Sequence, residues 1–114
     1  MIDLTREGDV FVLRFEAPEN RFRPEGVRAW HEALDRVEAT ARPVALVTTG
    51  TGRFYSNGLD LAWMLSEAGE SERGSYIPGV LALMARVLTF PMITVAAVNG
   101  HAFGAGAQLS LAHD

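Results

Sequence analysis

The spacing of apolar residues predicts three β-strands. Asp9 to Phe15 (DVFVLRF) is rich in β-branched and aromatic residues, which is typical of a strand, and the turn at Pro18 to Asn20 ends it. Val44 to Thr48 and Ile93 to Val98 are short apolar runs bounded by proline and glycine. Runs of this kind favour strands that are buried on both faces of a sheet.

Four helices are predicted around these strands. The clearest runs from Pro24 to about Ala41, where Pro24 suits a first turn and Glu25 complements the positive end of the helix dipole. The others, which also carry apolar residues on one side, are Asp60 to Ala68, Tyr76 to Phe90 and the last segment up to Asp114. The polar stretch Gly69 to Gly74 (GESERG) predicts a mobile loop.

Strands alternate with helices along the chain, which indicates an α/β layer architecture with parallel strands. A length of 114 residues with 48% hydrophobic and 21% charged residues is typical of one small globular unit. The segment up to Asp114 is almost wholly apolar and has no helix C-cap signal, whereas most chain ends are polar. We therefore expect residues 1–114 to be the N-terminal portion of a longer domain, with apolar surface exposed and a disordered or cleaved point at Asp114.

Composition and charge exclude several classes of function. A net charge of −4 disfavours nucleic acid as a partner, and the absence of cysteine excludes disulfides and thiolate chemistry. No apolar run approaches the roughly 20 residues of a membrane span, and the N-terminus does not have the pattern of a signal peptide. The three histidines lack ligand spacing, so no metal site is predicted. We expect a cytoplasmic protein, or a peroxisomal one if its source is eukaryotic.

Two stretches share one design, in which a buried strand leads through a glycine-containing loop into a helix. They are Val47 to Met64 and Thr94 to Asp114. Glycine lets a backbone approach a ligand closely, and the first N–H groups of a helix have no partner within the helix. Two such turns that face one point would form a two-donor pocket for a developing oxyanion. Because most glycine-rich turns between strands and helices are structural, the pattern alone leaves both interpretations open.

The residues of these turns resemble a known enzyme family. FYSNGLDL at 54–61 is similar to the F-S-x-G-x-D-L segment of the crotonase (enoyl-CoA hydratase/isomerase) family, and VNGHAFGAGAQLSLAHD at 98–114 is similar to its N-G-x-A-x-G-G-G segment. The amino-acid sequences of the two motifs are most similar to those of the branch that contains plant-type Δ3,Δ2-enoyl-CoA isomerases. The resemblance implies an α/β fold of the ClpP/crotonase type, a spiral of ββα units, of which residues 1–114 would form the N-terminal portion. A doubly wound nucleotide-binding domain is disfavoured because no G-x-G-x-x-G turn follows the first strand.

The resemblance also implies roles for individual residues. In the family, two backbone N–H groups bind the thioester carbonyl, and the matching residues here are Leu59 and Ala105. The positions expected to contact the acyl-CoA substrate are Arg21, Arg23, Ser56, Asn57, Gly58, Asp60, Gly104 and Gly106. The two arginines match a region near the CoA phosphates or pantetheine, with ordinary surface arginines as the alternative. For Asp60 the alternative is a carboxylate that caps a helix.

Gln108 stands where hydratases of the family carry one of two catalytic glutamates. Glutamine donates and accepts hydrogen bonds but cannot exchange protons at neutral pH, so hydration by two glutamates is disfavoured. An isomerase needs one base to move a proton between two carbons, and in the family this glutamate lies beyond the position of Asp114. The resemblance therefore implies an enoyl-CoA isomerase, with residues 1–114 inactive alone.

Other functions remain open at this point. The same oxyanion hole serves hydratases, thioester hydrolases and decarboxylases, and a non-catalytic acyl-CoA-binding or assembly protein could share the fold. The resemblance implies an acyl-CoA thioester as the substrate and a homo-oligomer, either a trimer or a hexamer. It implies no separate cofactor, because coenzyme A is part of the substrate.

Overall fold

The computed structural model describes residues 1–114, which form eight strands and four α-helices. In chain order the strands are β1 (Ile2–Glu7), β2 (Val10–Phe15), β3 (Arg21–Phe22), β4 (Ala45–Gly50), β5 (Phe54–Ser56), β6 (Gly58–Leu59), β7 (Ile93–Ala96) and β8 (His101–Ala102). The α-helices are α1 (Pro24–Glu38), α2 (Leu61–Met64), α3 (Arg73–Leu88) and α4 (Ala105–Leu111). No helix is long and apolar enough to cross a membrane.

The largest sheet has four strands in the order β1-β2-β4-β7. Strands β2, β4 and β7 are parallel, so the predicted parallel α/β arrangement is confirmed. Strand β1 was not predicted, and it forms an antiparallel hairpin with β2. Its first four residues, IDLT, alternate apolar and polar residues, as a half-buried edge strand does. The hairpin turns at Gly8, whose positive φ of 60° suits glycine.

The core lies on one face of this sheet, against α1. Three aromatic rings meet there: Phe15 stacks on Phe22 at 5.4 Å between ring centroids and meets Trp30 edge-on at 5.8 Å. Such pairs stabilise by about 1 kcal/mol beyond the area they bury. The residues of β2, β4 and α1 that share this core with them are Phe11, Leu13, Leu46, Leu34 and Val37.

The opposite face of the sheet is incompletely covered. In β7, Ile93 is 65% exposed and Val95 is 47% exposed, and Val47 of β4 is half-buried. The prediction that β7 is buried on both faces is therefore wrong for residues 1–114, because no element of this chain packs on its outer side. The expectation of exposed apolar surface is confirmed here.

Three helix boundaries differ from the predictions. Helix α1 ends at Glu38 instead of Ala41, and α2 is a single turn that does not reach Ala68. The polar stretch 69–74, predicted as a loop, contributes to a 3-10 turn (Glu67–Glu72) and to the start of α3. Local packing explains the turn, because Gly69 lies so close to the Trp63 carbonyl that a Cβ would come within 2.3 Å of its oxygen.

Asp114 is held in place by hydrogen bonds, so the expectation of disorder at this residue is wrong. The backbone N–H of Asp114 donates to the carbonyl of Thr94 at 3.0 Å, and its carboxylate accepts from the Thr94 N–H at 3.0 Å. Together these bonds fix the last residue of the chain against β7.

Candidate functional site

Two short pairs of parallel strands bring the two glycine-containing turns together. Strand β3 pairs with β6, with Phe22 opposite Leu59. Strand β5 pairs with β8, with Ser56 opposite Ala102. As a result, the turn from β5 into β6, which includes Gly58, lies directly beside the loop that leads into α4.

The two turns pack closely at Gly58. A Cβ on Gly58 would lie 3.0 Å from the backbone nitrogen of Ala105 and 2.8 Å from the carbonyl oxygen of Phe103. Gly58 has φ of 82° and Gly104 has φ of 52°, so a glycine with positive φ stands immediately before Leu59 and immediately before Ala105. Only glycine adopts such backbone angles without strain.

The backbone N–H of Ala105 has no hydrogen-bond acceptor within the chain. It begins α4, so no earlier carbonyl of the helix can accept from it. Leu59 follows Gly58, the residue that packs against the Ala105 nitrogen. The structure thus shows one free backbone donor, that of Ala105, beside the Gly58–Leu59 backbone.

Arg21, Arg23 and Asp60 line a neighbouring cavity of about 140 Å³. Both arginines already have partners within the chain. The Arg21 guanidinium donates to Glu19 Oε2 at 2.8 Å and to the carbonyl of Leu59 at 2.9 Å, and Arg23 donates to Asp60 Oδ2 at 2.8 Å. Arg23 remains about half-exposed, so part of its guanidinium faces solvent.

Asp60 caps α2, as the alternative interpretation of its sequence position predicted. Its Oδ1 accepts from the Trp63 N–H at 3.0 Å. Burial alone would raise the pKa of Asp60, but the bonds from Trp63 and Arg23 outweigh burial and lower it. Asp60 is therefore a stable carboxylate and a weak base, which suits a structural role better than proton transfer.

Two other expected substrate contacts have partners of their own. The Asn57 side chain donates to Glu19 Oε2 at 3.3 Å. Ser56 is fully buried, and its hydroxyl donates to the carbonyl of Asn20 at 2.7 Å and accepts from the Gly58 N–H at 3.2 Å. The Ser56 side chain is thus not available to a ligand, and the expectation of a direct substrate contact is wrong for it.

Gln108 is exposed on α4, three residues after Ala105. Residues three apart lie on the same side of a helix, so Gln108 and Ala105 share one side of α4. Its side chain makes no hydrogen bond within the chain. Gly106 lies on the buried side of the same helix, where a Cβ would come within 2.0 Å of the Ser56 carbonyl oxygen.

Two asparagines that the sequence analysis did not single out hold the loop before β5. The side-chain nitrogens of Asn20 and Asn99 both donate to the carbonyl of Phe54, at 2.8 Å and 3.1 Å. Asn20 has φ of 49° and its side chain also accepts from Ala17. Their sequence signals are the P-E-N and N-G turns, in which asparagine is common because it tolerates positive φ.

A buried chain of hydrogen bonds ties the end of α4 to the sheet. His113 Nδ1 lies 2.8 Å from the carbonyl of Leu109, and its Nε2 lies 2.9 Å from Thr48 Oγ1. Because a carbonyl only accepts, Nδ1 carries the proton and Nε2 accepts from the Thr48 hydroxyl. The Tyr55 hydroxyl, 2.7 Å away, then donates to Thr48. Burial raises the pKa of Tyr55 to about 12, so it stays a donor at neutral pH.

This chain of bonds predicts a loss of stability in acid. Burial lowers the pKa of His113 below its ordinary value of 6.5, although the backbone bond to Leu109 and the charge of Asp114 work the other way. The stabilisation is therefore present above about pH 6.5 and is lost as the pH falls below that value, because protonated Nε2 cannot accept from Thr48. When denaturant unfolding is measured at a series of pH values below about 6.5, the free energy of unfolding should fall as the pH falls.

The matched variant for this prediction is His113→Asn. Its side-chain nitrogen can still donate to Leu109, but it has no titrating group. The pH dependence should therefore be flatter than in the wild type, with the remainder due to groups such as His31, whose pKa is also lowered by burial and by Arg86. An unchanged slope in His113→Asn would show that His113 does not titrate on unfolding.

The fold and the paired glycine turns define a class of protein: this is the N-terminal portion of a crotonase fold. A solved structure of an enoyl-CoA hydratase/isomerase family protein from Silicibacter pomeroyi matches it with a TM-score of 0.88 at 29% identity, over 100% of this chain and 50% of that one. The family model for enoyl-CoA hydratase/isomerase matches residues 5–114. The chain belongs to the enoyl-CoA hydratase/isomerase family.

Its relatives carry the names of more than one reaction. Enoyl-CoA delta isomerase 2, a peroxisomal protein of Arabidopsis thaliana, is 37% identical over an alignment of 120 positions, which covers 100% of this chain and 50% of that protein. A protein of Thermus thermophilus, provisionally named an enoyl-CoA hydratase, is 40% identical over 112 residues, which cover 95% of this chain and 44% of that protein. The chain thus spans about half the length of the curated relatives it matches.

Proposed function

We propose that the full-length protein binds an acyl-CoA thioester and moves its double bond as an enoyl-CoA isomerase. The observation that supports this most directly is the contact between Gly58 and Ala105, with a positive-φ glycine before each expected donor. In this proposal the N–H groups of Leu59 and Ala105 both donate to the thioester carbonyl oxygen. The free state of the Ala105 N–H is consistent with that role.

The two donors would act on charge that develops during the reaction. When a base removes a proton from the carbon next to the thioester, the electron pair moves onto the carbonyl oxygen and an enolate forms. Return of the proton to the far end of the conjugated system completes the shift of the double bond. A preorganised N–H donor to such an oxygen typically lowers the activation free energy by about 3 kcal/mol.

Gln108 favours isomerisation over hydration. Addition of water across the double bond by the family's two-glutamate route needs a second group that exchanges protons, and an amide does not. Isomerisation needs one base only, which in this proposal lies outside residues 1–114. Hydration is the second candidate, because the Thermus thermophilus relative carries that name.

The remaining expectations are part of the same proposal. Arg23, with its partly exposed guanidinium, is better placed than Arg21 to meet a CoA phosphate, because Arg21 holds the Leu59 carbonyl. Coenzyme A enters as part of the substrate, so we expect the reaction to need no separate cofactor. A trimer or hexamer, and a cytoplasmic or peroxisomal location, also remain proposals.

Assays of the full-length protein with two substrates test this proposal. With trans-3-hexenoyl-CoA we expect conversion to the conjugated 2-enoyl form, which absorbs in the near ultraviolet. With crotonyl-CoA we expect hydration to be at least about 100-fold slower than in a hydratase that has both glutamates. General acid–base catalysis by the missing carboxylate contributes factors of that order. Fast hydration of crotonyl-CoA would contradict the argument from Gln108. Binding of both thioesters without any turnover would favour a non-catalytic acyl-CoA-binding protein.

A further inference from the structure

We propose that Ser56 is a positioning residue that sets the separation between the Leu59 and Ala105 N–H groups without touching the substrate. This inference rests on the proposed function, because it concerns how the same two donors are held. Ser56 ends β5 and is the residue at which the two turns meet. Its side chain acts on one turn and its backbone acts on the other.

The hydroxyl of Ser56 fixes the turn that carries Leu59. The Gly58 N–H donates to Ser56 Oγ at 3.2 Å, so the hydroxyl proton points elsewhere, to the carbonyl of Asn20 at 2.7 Å. A carbonyl can only accept, which settles both directions. Asn20 is rigid in turn, because its own side chain bonds to Ala17 and Phe54. The Asn57–Gly58 peptide, one before the peptide that carries the Leu59 N–H, is thereby tied to a fixed point of the fold.

The backbone of Ser56 fixes the turn that carries Ala105. The Phe103 N–H donates to the Ser56 carbonyl at 3.1 Å. Gly106 packs on the same peptide so closely that a Cβ would lie 2.0 Å from the Ser56 oxygen and 2.7 Å from its carbonyl carbon. These two contacts lie on either side of Gly104 and Ala105 in the sequence. The position of the Ala105 N–H therefore depends on Ser56, as the position of the Leu59 N–H does.

Burial separates this role from substrate binding. Ser56 has 0% exposure, and its hydroxyl has both a donor and an acceptor partner within the chain. Removing the hydroxyl would therefore delete no ligand contact, but would free the Gly58 peptide to move. A misplacement of about 1 Å in such a site can lower a rate about 100-fold.

The test compares Ser56→Ala with a matched control in the full-length protein. The control is Thr94→Val on β7, which removes a hydroxyl that is also buried and accepts only from the Asp114 N–H, while the two bonds of the Thr94 backbone to Asp114 remain. Ser56→Cys, which keeps a weaker donor and acceptor in the same shape, provides a milder variant if Ser56→Ala does not fold. Each is assayed with trans-3-hexenoyl-CoA and studied by infrared spectroscopy with hexanoyl-CoA labelled with carbon-13 at the thioester carbonyl.

In the wild type, two donors should lower the carbonyl stretching frequency of bound hexanoyl-CoA relative to the free thioester. Ser56→Ala should lose much of that shift and lower kcat about 10- to 100-fold with KM changed less than about threefold, and Ser56→Cys should fall between. Thr94→Val should keep the full carbonyl shift. A full carbonyl shift in Ser56→Ala or Ser56→Cys would overturn the positioning role. The absence of any shift in the wild type would instead overturn the proposed function, and this inference with it.

Discussion

Replacement of Gly106 by alanine should lower the free energy of unfolding by about 3 kcal/mol or more, because overpacking against backbone is among the most costly substitutions. The three atoms that a Cβ would meet first all belong to Ser56, at 2.0, 2.7 and 2.8 Å. A peptide carbonyl cannot rotate away as a flexible side chain can. Either α4 moves off β5 or β5 shifts, and both changes separate Ala105 from Gly58. Denaturant unfolding of the purified protein measures the loss.

Gly79→Ala is the matched control for this prediction. Gly79 also lies within a helix, α3, but no atom lies within 4 Å of the position that its Cβ would take. Alanine should therefore raise the free energy of unfolding by about 0.5 to 1 kcal/mol, because it forms helices better than glycine does. If Gly106→Ala were as stable as Gly79→Ala, the close contact between α4 and Ser56 would not exist in solution.

The parallel core of the fold could be predicted because its strands and helix carry apolar residues at a regular spacing. Strands β2 and β4 and helix α1 carry apolar residues at regular spacing, and each was expected within a few residues of its observed bounds. Strand β1 carries the same kind of signal, an alternation of apolar and polar residues, but a weak one, since only Ile2 and Leu4 of its residues are partly buried. An edge strand has little apolar pattern because most of its residues face water.

The elements that build the site are too short to have a period. Strands β3, β6 and β8 have two residues each, so no alternation can reveal them. The pairing of the two turns was expected only from the resemblance to a family. Contacts such as Asn20 to the Phe54 carbonyl join residues 34 positions apart, and nothing in the local sequence specifies the partner.

Ser56 shows why site residues are harder to assign than elements. A serine two positions before a glycine of an active-site motif is equally compatible with a ligand contact and with a bond that supports the loop. Burial decides between them, and burial depends on Asn20 and Gly106, which come from distant parts of the chain. Likewise, the exposure of Ile93 and Val95 could not follow from their apolar character, because it depends on what packs against β7.

Replacement of Ala105 by proline should lower kcat/KM of the full-length protein for trans-3-hexenoyl-CoA by about 100- to 1000-fold, the range found on loss of one oxyanion donor. Proline carries a ring carbon in place of the backbone N–H, and the N–H lost at this position has no partner within the chain. Ala105 is the first residue of α4, where the fixed φ of proline is well tolerated. The helix should therefore persist, and circular dichroism and denaturant unfolding should stay close to those of the wild type.

The comparison that isolates the N–H is Ala105→Gly, which changes the side chain at the same position and keeps the donor. It should retain activity within about tenfold of the wild type, because a backbone N–H, not a side chain, is proposed to bind the carbonyl. If Ala105→Pro folded normally and turned over substrate as fast as Ala105→Gly, the Ala105 N–H could not be a donor to the reacting oxygen. Equal losses in both variants would point instead to the shape of the turn, which Gly104 with its φ of 52° and Gly58 with its φ of 82° hold in place. A loss confined to proline would assign the effect to the N–H itself.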